Sequence, residues 1–351
     1  MNTENNVFCH LPKADLHVHL NGAITTSTAI QLLGPVAAQL PEWFNLDNDL
    51  QINAPVNGLQ EYFKPWYALK KLPYSKECLY SMVESALISL ADDNVHYVEL
   101  RNSPFNISEI NQIPLEKSLE WLIEAIETAS VKVGIDAKLI LSLSRYGLSE
   151  EKIKKLSKAI QYVNFSSTLV GVDLSGNEDS PVIPDVEKFF KKAKEEFGLG
   201  ITVHAGETGK IQNIWWAINE CGADRIAHGL AAAESMTLMN EIVERKICLE
   251  ICLCSNYLTR SIQKMKDHPI VEFIKQGVPF VLCSDNPSIN NNNLSDNYTM
   301  FRSITGNDDC IDKMYENQNS YSFKNIKLIS KLNRKTHNKA NSADAKSSAA
   351  D

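Results

Sequence analysis

The sequence predicts a closed (β/α)8 TIM barrel, and three observations point to it. Short β-branched runs alternate with longer helical patterns along most of the chain, these runs number eight, and histidines and aspartates gather at their carboxyl ends. Such alternation builds βα units on a parallel sheet. Eight units within about 280 residues suit a barrel, whose functional groups collect on the carboxyl-end rim. A doubly wound open sheet is the alternative.

The elements follow in chain order. Residues 14–20 read as the first strand, and its period of two puts His17 and His19 on one face, a metal-binding geometry. Thr25, Thr26 and Ser27 offer helix caps, and a turn-rich stretch fills residues 34–57 within a helical insertion spanning about 25–94. A helix over 75–91 follows, with Leu79, Met82, Val83, Ala86, Leu87 and Leu90 at three- and four-residue steps. The second strand covers 95–100. A helix over 115–133 carries Leu119, Leu122, Ile126 and Ala129, and a strand over 138–143 succeeds it. Ser149 can cap a helix through Ile153, Leu156 and Ile160; a strand over 169–174 and a helix from Pro184 to Gly198 come next. Strands over 200–204, 225–228, 247–251 and 279–284 then alternate with helical patterns over 211–221, 236–243 and 269–275. Residues 1–332 read as one domain. The segment 333–351, rich in Lys, Asn, Ser and Ala, reads as a disordered tail.

Composition narrows the function. A formal charge of −8 with no basic block argues against a nucleic-acid partner and against an anionic membrane surface. The first ten residues lack a positive segment followed by an apolar one, and no apolar run is long enough to span a bilayer. A soluble, cytoplasmic protein is expected. Its eight cysteines, irregularly spaced, are then reduced and mostly buried. Cys248, Cys252 and Cys254 are too poorly spaced for a cysteine zinc site.

The polar outliers fall at strand ends: His17 and His19 on the first, Asp173 on the fourth, His204 on the fifth, His228 on the sixth and Asp285 on the eighth. Zinc takes about four nitrogen, sulfur or oxygen donors from separate elements, and a barrel rim brings such residues together. Glu207 lies three residues past His204, where Ala205 and Gly206 allow the chain to turn. It is a candidate general acid, or else a first-turn glutamate of the next helix. Asp285 and Asn286 set an oxygen ligand beside an amide just before Pro287. The aromatic residues Trp43, Phe44, Tyr62, Phe63, Trp66 and Tyr67 read as packing or as a lid, and Trp215 and Trp216 as helix packing.

At this point the chain resembles the adenosine deaminases of the amidohydrolase superfamily. The matching segments run from Leu11 to Ala23 (LPKADLHVHLNGA), then Gly171 to Glu178, His204 to Thr208, Arg225 to Gly229, Cys252 to Asn256, His268-Pro269, Ser284 to Pro287 and Leu294 to Tyr298. The resemblance implies one Zn²⁺ per chain held by His17, His19, His204 and Asp285. It implies that zinc supplies hydroxide near neutral pH, that His228 and Asp285 orient it, with His228 assisting proton removal or stabilising its charge, and that Glu207 protonates purine N1. It further implies that the Gly176 backbone faces N3 and that Asp173 supports the metal ligands from behind. The substrate implied is a purine nucleoside or nucleotide, with water as co-substrate.

Two positions depart from that pattern. Asn21 stands where members acting on free adenosine usually carry Asp, near the sugar 5′ hydroxyl. An amide can donate to a 5′-phosphate that a carboxylate would repel, so AMP or N6-methyl-AMP is an alternative substrate. Asn286 replaces the family's second Asp, which contacts N7. Asn can donate to N7 but also offers an acceptor, so a modified aminopurine is a further alternative. Another single-metal amidohydrolase activity, or a barrel that only binds, are the remaining classes. The fourth strand lacks the bridging lysine of two-metal members, and the residues needed for chemistry are all present.

Overall fold

The computed structural model describes residues 6–163, 166–306 and 308–328; the expected tail at 333–351 lies outside them. Eight strands stand side by side in chain order: β1 (Lys13–His19), β2 (Val95–Asn102), β3 (Asp136–Ser144), β4 (Leu169–Ser175), β5 (Gly200–Ala205), β6 (Arg225–His228), β7 (Cys248–Ile251) and β8 (Phe280–Leu282). Each neighbouring pair is parallel. Beyond β8, Asp285 pairs with Val18 of β1, its N–H donating to His17 O at 2.9 Å while the His19 N–H donates to Asp285 O at 2.8 Å. The sheet therefore closes into a (β/α)8 barrel, and the open doubly wound alternative does not occur. The closing contact consists of candidate metal ligands.

The outer ring holds the predicted helices Lys76–Asp92, Leu115–Val133, Glu150–Tyr162, Val186–Phe197, Ile211–Asn219, Met236–Glu244 and Ile270–Gln276. Ser75 and Ser149 cap the first and third, their hydroxyls accepting the N–H groups of Cys78 and Lys152 at 3.2 Å. The six apolar residues expected on Lys76–Asp92 are all buried, forming one stripe toward the barrel. Four α-helices of six or more residues, among those described, were not expected from the sequence: Pro104–Asn111, Leu253–Leu258, Leu294–Thr305 and Ile311–Tyr321. The last two are mostly polar and bury only a thin apolar stripe, such as Leu294, Tyr298 and Phe301, so their period is faint.

Inside the barrel the usual aliphatic filling gives way to charge. Arg101, Arg225, Glu99 and Glu250 are fully or almost fully buried. Arg225 reaches Glu250 at 2.7 Å and Glu99 at 2.5 Å, and Arg101 also bonds Glu250. Buried ions persist only when paired in this way. Below them Phe323 stacks 3.7 Å under the Arg225 guanidinium, and its N–H donates to Glu99 at 2.7 Å. All eight cysteines are free thiols. No helix among the described residues is long and apolar enough to cross a membrane. Trp215 and Trp216 pack on the core, as expected, while Trp43 is largely exposed and meets Tyr67 edge to face at 5.1 Å.

Candidate metal centre and active site

The strand period delivers His17 and His19 to the same side of β1. Their Nε2 atoms lie 3.3 Å apart, and His19 Nε2 lies 3.4 Å from His204 Nε2 at the end of β5. Asp285 Oδ1 is 3.4 Å from both β1 imidazoles. Adjacent donors around a zinc-sized ion with spokes of about 2.0–2.1 Å stand about 3.3–3.4 Å apart, so this spacing fits. Two overlapping triads, His17–His204–His228 and His17–His19–Asp285, each have ligating atoms within 4.8 Å of one another. His17 is common to both, and His19 of the second stands 3.4 Å from His204 of the first.

Carboxylates behind the imidazoles set their tautomers. His17 Nδ1 meets Glu250 at 2.9 Å, and His204 Nδ1 meets Asp173 at 3.0 Å. Each ring thereby commits its Nδ1 proton outward and turns the Nε2 lone pair to the shared point, as metal-binding histidines require. Asp173 also accepts from Ser142 Oγ at 2.9 Å. Burial would raise the Asp173 carboxyl, but His204 and Arg101 outweigh it and hold it well below the usual range. Asp285 is held low in the same way, burial being overcome by His17, His19 and His228. Burial drives His19 down to about 3, so its ring is neutral and free to ligate.

Glu207 lies across the site. Gly206 precedes it at φ +73°, and a Cβ there would sit 2.4 Å from Ile214, so only glycine lets the chain turn here. The turn is fastened by Glu178, whose carboxylate accepts from Gly206 N at 2.7 Å, from Thr208 N, and from Asn213 Nδ2 at 2.8 Å. Burial first, then the charges of Asp285 and Glu178, push the Glu207 carboxyl up to about 8. His228 Nε2 is 3.8 Å from it.

The expected substrate-facing residues are more dispersed. Asn286 follows Asp285 directly, donates from Nδ2 to Tyr62 Oη at 3.2 Å, and packs on Gly22, where a Cβ would come within 2.1 Å of its Oδ1. Tyr62 in turn donates to Asn290 at 2.6 Å, so this aromatic of the insertion reaches the site through its hydroxyl. Asn21, just past His19, bridges Tyr74 at 2.6 Å and Asn102 at 3.1 Å. Gly176 stands on the rim after β4 at φ +92°, with Ser144 and Arg145 nearest. The sequence reading gave no role to Glu250, Arg101, Glu178 or Asn256. Glu250 and Arg101 had a visible signal, a charged residue within an otherwise apolar strand; the partners of Glu178 and Asn256 appear only once the loops are folded.

A parallel barrel whose carboxyl rim gathers histidines and an aspartate that could hold a metal ion defines the class of scaffold. The Adenosine deaminase family profile matches residues 12–332. The chain belongs to the adenosine deaminase family and is an aminohydrolase. It is 31% identical to an adenosine deaminase of Clostridium acetobutylicum over 299 residues, 84% of this chain and 87% of that one. Its fold is shared by an amidohydrolase with bound Zn from Burkholderia ambifaria, at TM-score 0.79 and 21% identity over 93% of this chain and 89% of the other. An N6-methyl-AMP deaminase of Arabidopsis thaliana superposes at TM-score 0.77 with 24% identity, over 90% and 93% of the two chains.

Proposed function

We propose that this protein hydrolytically deaminates a 6-aminopurine nucleoside or nucleotide, using one zinc ion held by His17, His19, His204 and Asp285. The observation that carries the reading is the meeting of these four donors, spaced 3.3–3.4 Å along the cluster, with the buried carboxyl of Glu207 on the same rim. When bound, zinc supplies the acidity that makes a water molecule nucleophilic near neutral pH.

The chain's own residues do the rest. Glu207 gives its proton to ring N1, which draws electron density from C6. His228 and Asp285 face the incoming water and orient it toward C6. A new C6–O bond forms and the C6–N6 bond breaks; one of the water's two protons leaves with the amine as ammonia, and the other restores Glu207. Asp173 and Glu250 keep the imidazoles oriented throughout. Asn286 lies next to Asp285 and would meet the ring's five-membered edge, and the Gly176 backbone would meet N3.

A 5′-monophosphate, N6-methylated or not, is the second reading, and Asn21 favours it. Its amide is pinned between Tyr74 and Asn102 with no carboxylate in that trio to repel a phosphate, and one of the fold's relatives acts on N6-methyl-AMP. Ammonia and methylamine release by zinc-loaded protein, measured with adenine, adenosine, AMP and their N6-methyl forms, tests both readings. Release from nucleosides or nucleotides supports the proposal, the preferred member decides between the readings, and no release from any of them refutes it.

A further inference from the structure

Two segments that resemble the family pattern, the one ending in Asn256 and the pair His268-Pro269, have no part in the chemistry above, yet they meet behind His228. Asn256 Nδ2 lies 3.1 Å from His228 Nδ1, Asn256 Oδ1 lies 3.4 Å from His268 Nε2, and His268 Nδ1 accepts the Ile270 N–H at 3.1 Å. All three side chains are buried.

The direction of this chain is dictated by its far end. Ile270 opens the helix Ile270–Gln276, so its backbone N–H has no acceptor within the helix. A backbone N–H can only donate. His268 must therefore present a lone pair at Nδ1 and carry its proton on Nε2. That proton needs an acceptor, which turns the Asn256 oxygen toward His268 and the Asn256 amide toward His228. Facing an N–H donor, His228 Nδ1 must hold a lone pair, and the His228 proton is left on Nε2. Reversing any one amide or ring would set two donors against each other inside the protein. A charged His268 would do the same, and burial holds this ring down to about 3.

We infer that Asn256 and His268 are positioning residues, which with the Ile270 N–H form a one-way hydrogen-bond chain that holds His228 as the Nε2–H tautomer. The inference deepens the proposed function and rests on it for its catalytic meaning. A protonated Nε2 cannot ligate, so of the two overlapping triads the one containing His228 is disqualified as a metal site. It also cannot act as a base in that state. His228 instead offers a hydrogen bond to the oxygen arriving at C6, while Glu207, 3.8 Å away, stands beyond hydrogen-bond reach.

The test is ¹⁵N NMR of histidine-labelled, zinc-loaded protein, with the His228 signals assigned by their loss in His228→Gln. The expected spectrum shows Nε2 protonated and Nδ1 unprotonated; a metal-bound Nε2 or a protonated Nδ1 overturns the inference. In His268→Leu the Asn256 amide is free to turn, so part of the His228 proton should move to Nδ1, and kcat should fall about tenfold or more with KM little changed. His268→Gln, which can accept from Ile270 and donate to Asn256, should restore the spectrum. An unaltered His228 spectrum in His268→Leu also overturns the inference, and should that variant not fold, the wild-type spectrum decides alone. The spectra do not depend on ammonia release, so failure of the deaminase reading and failure of this one are told apart.

Discussion

A carboxyl group buried beside Asp285 and Glu178 keeps its proton to about pH 8, which is what a general acid working near neutrality needs. Glu207 is competent only while protonated. The rate should therefore hold below about pH 8 and decline tenfold per unit above it, as a pH profile of kcat will show. Glu207→Gln keeps the shape and removes the transferable proton, so kcat should drop by about 10²–10⁴-fold with metal content unchanged. Asn286 sets selectivity in this account. Asn286→Asp should alter the ranking of aminopurines in kcat/KM while metal content stays constant, and an unchanged ranking would remove Asn286 from the recognition edge. The amide of Asn286 is tied to Tyr62, a contact no sequence spacing shows, because 224 residues separate them.

At the level of elements, the strand ends carry the site and the loops tune it. The convergence of the candidate ligands was legible because strand periodicity and barrel closure are simple rules: a residue ending a parallel strand arrives on the rim whatever lies between. Glu250 and Asp173 also sit on strands, and they act by fixing ring orientation. Asp173→Asn should weaken zinc affinity by about 10–100-fold, measured by competition with a chelator. Support from loops was not legible, since Glu178 grips residues 206–208 across a gap that only the folded chain closes. The pairing of Asn256 with His268 belongs to the same class. His268 also couples to stability. Its folded pKa, near 3, lies below the value of about 6.5 for an exposed histidine, so the unfolded chain binds the extra proton first. Stability from this group is present above pH 6.5 and is lost as pH falls toward 3, by up to about 1.4 kcal/mol per unit. Urea unfolding at pH 7 and pH 5 should show that loss, and His268→Gln should reduce it.

On the scale of the whole molecule, one contact does two things: the pairing of Asp285 with β1 closes the barrel and delivers the fourth proposed ligand. The barrel was readable from the count and order of strands. The polar helices Leu294–Thr305 and Ile311–Tyr321 were not, because a thin apolar stripe leaves little period to detect. Those helices lead to Phe323, which closes the end opposite the site against Arg225. Phe323→Ala should lower stability by about 1–3 kcal/mol and leave zinc binding intact, read by denaturant unfolding and metal analysis. The most direct test of the account is zinc stoichiometry, by equilibrium dialysis of the wild-type chain and of Asp285→Ala. One tightly held ion per wild-type chain, weakened or lost in the variant, is the expected result; no tight binding, or binding indifferent to Asp285, would contradict it.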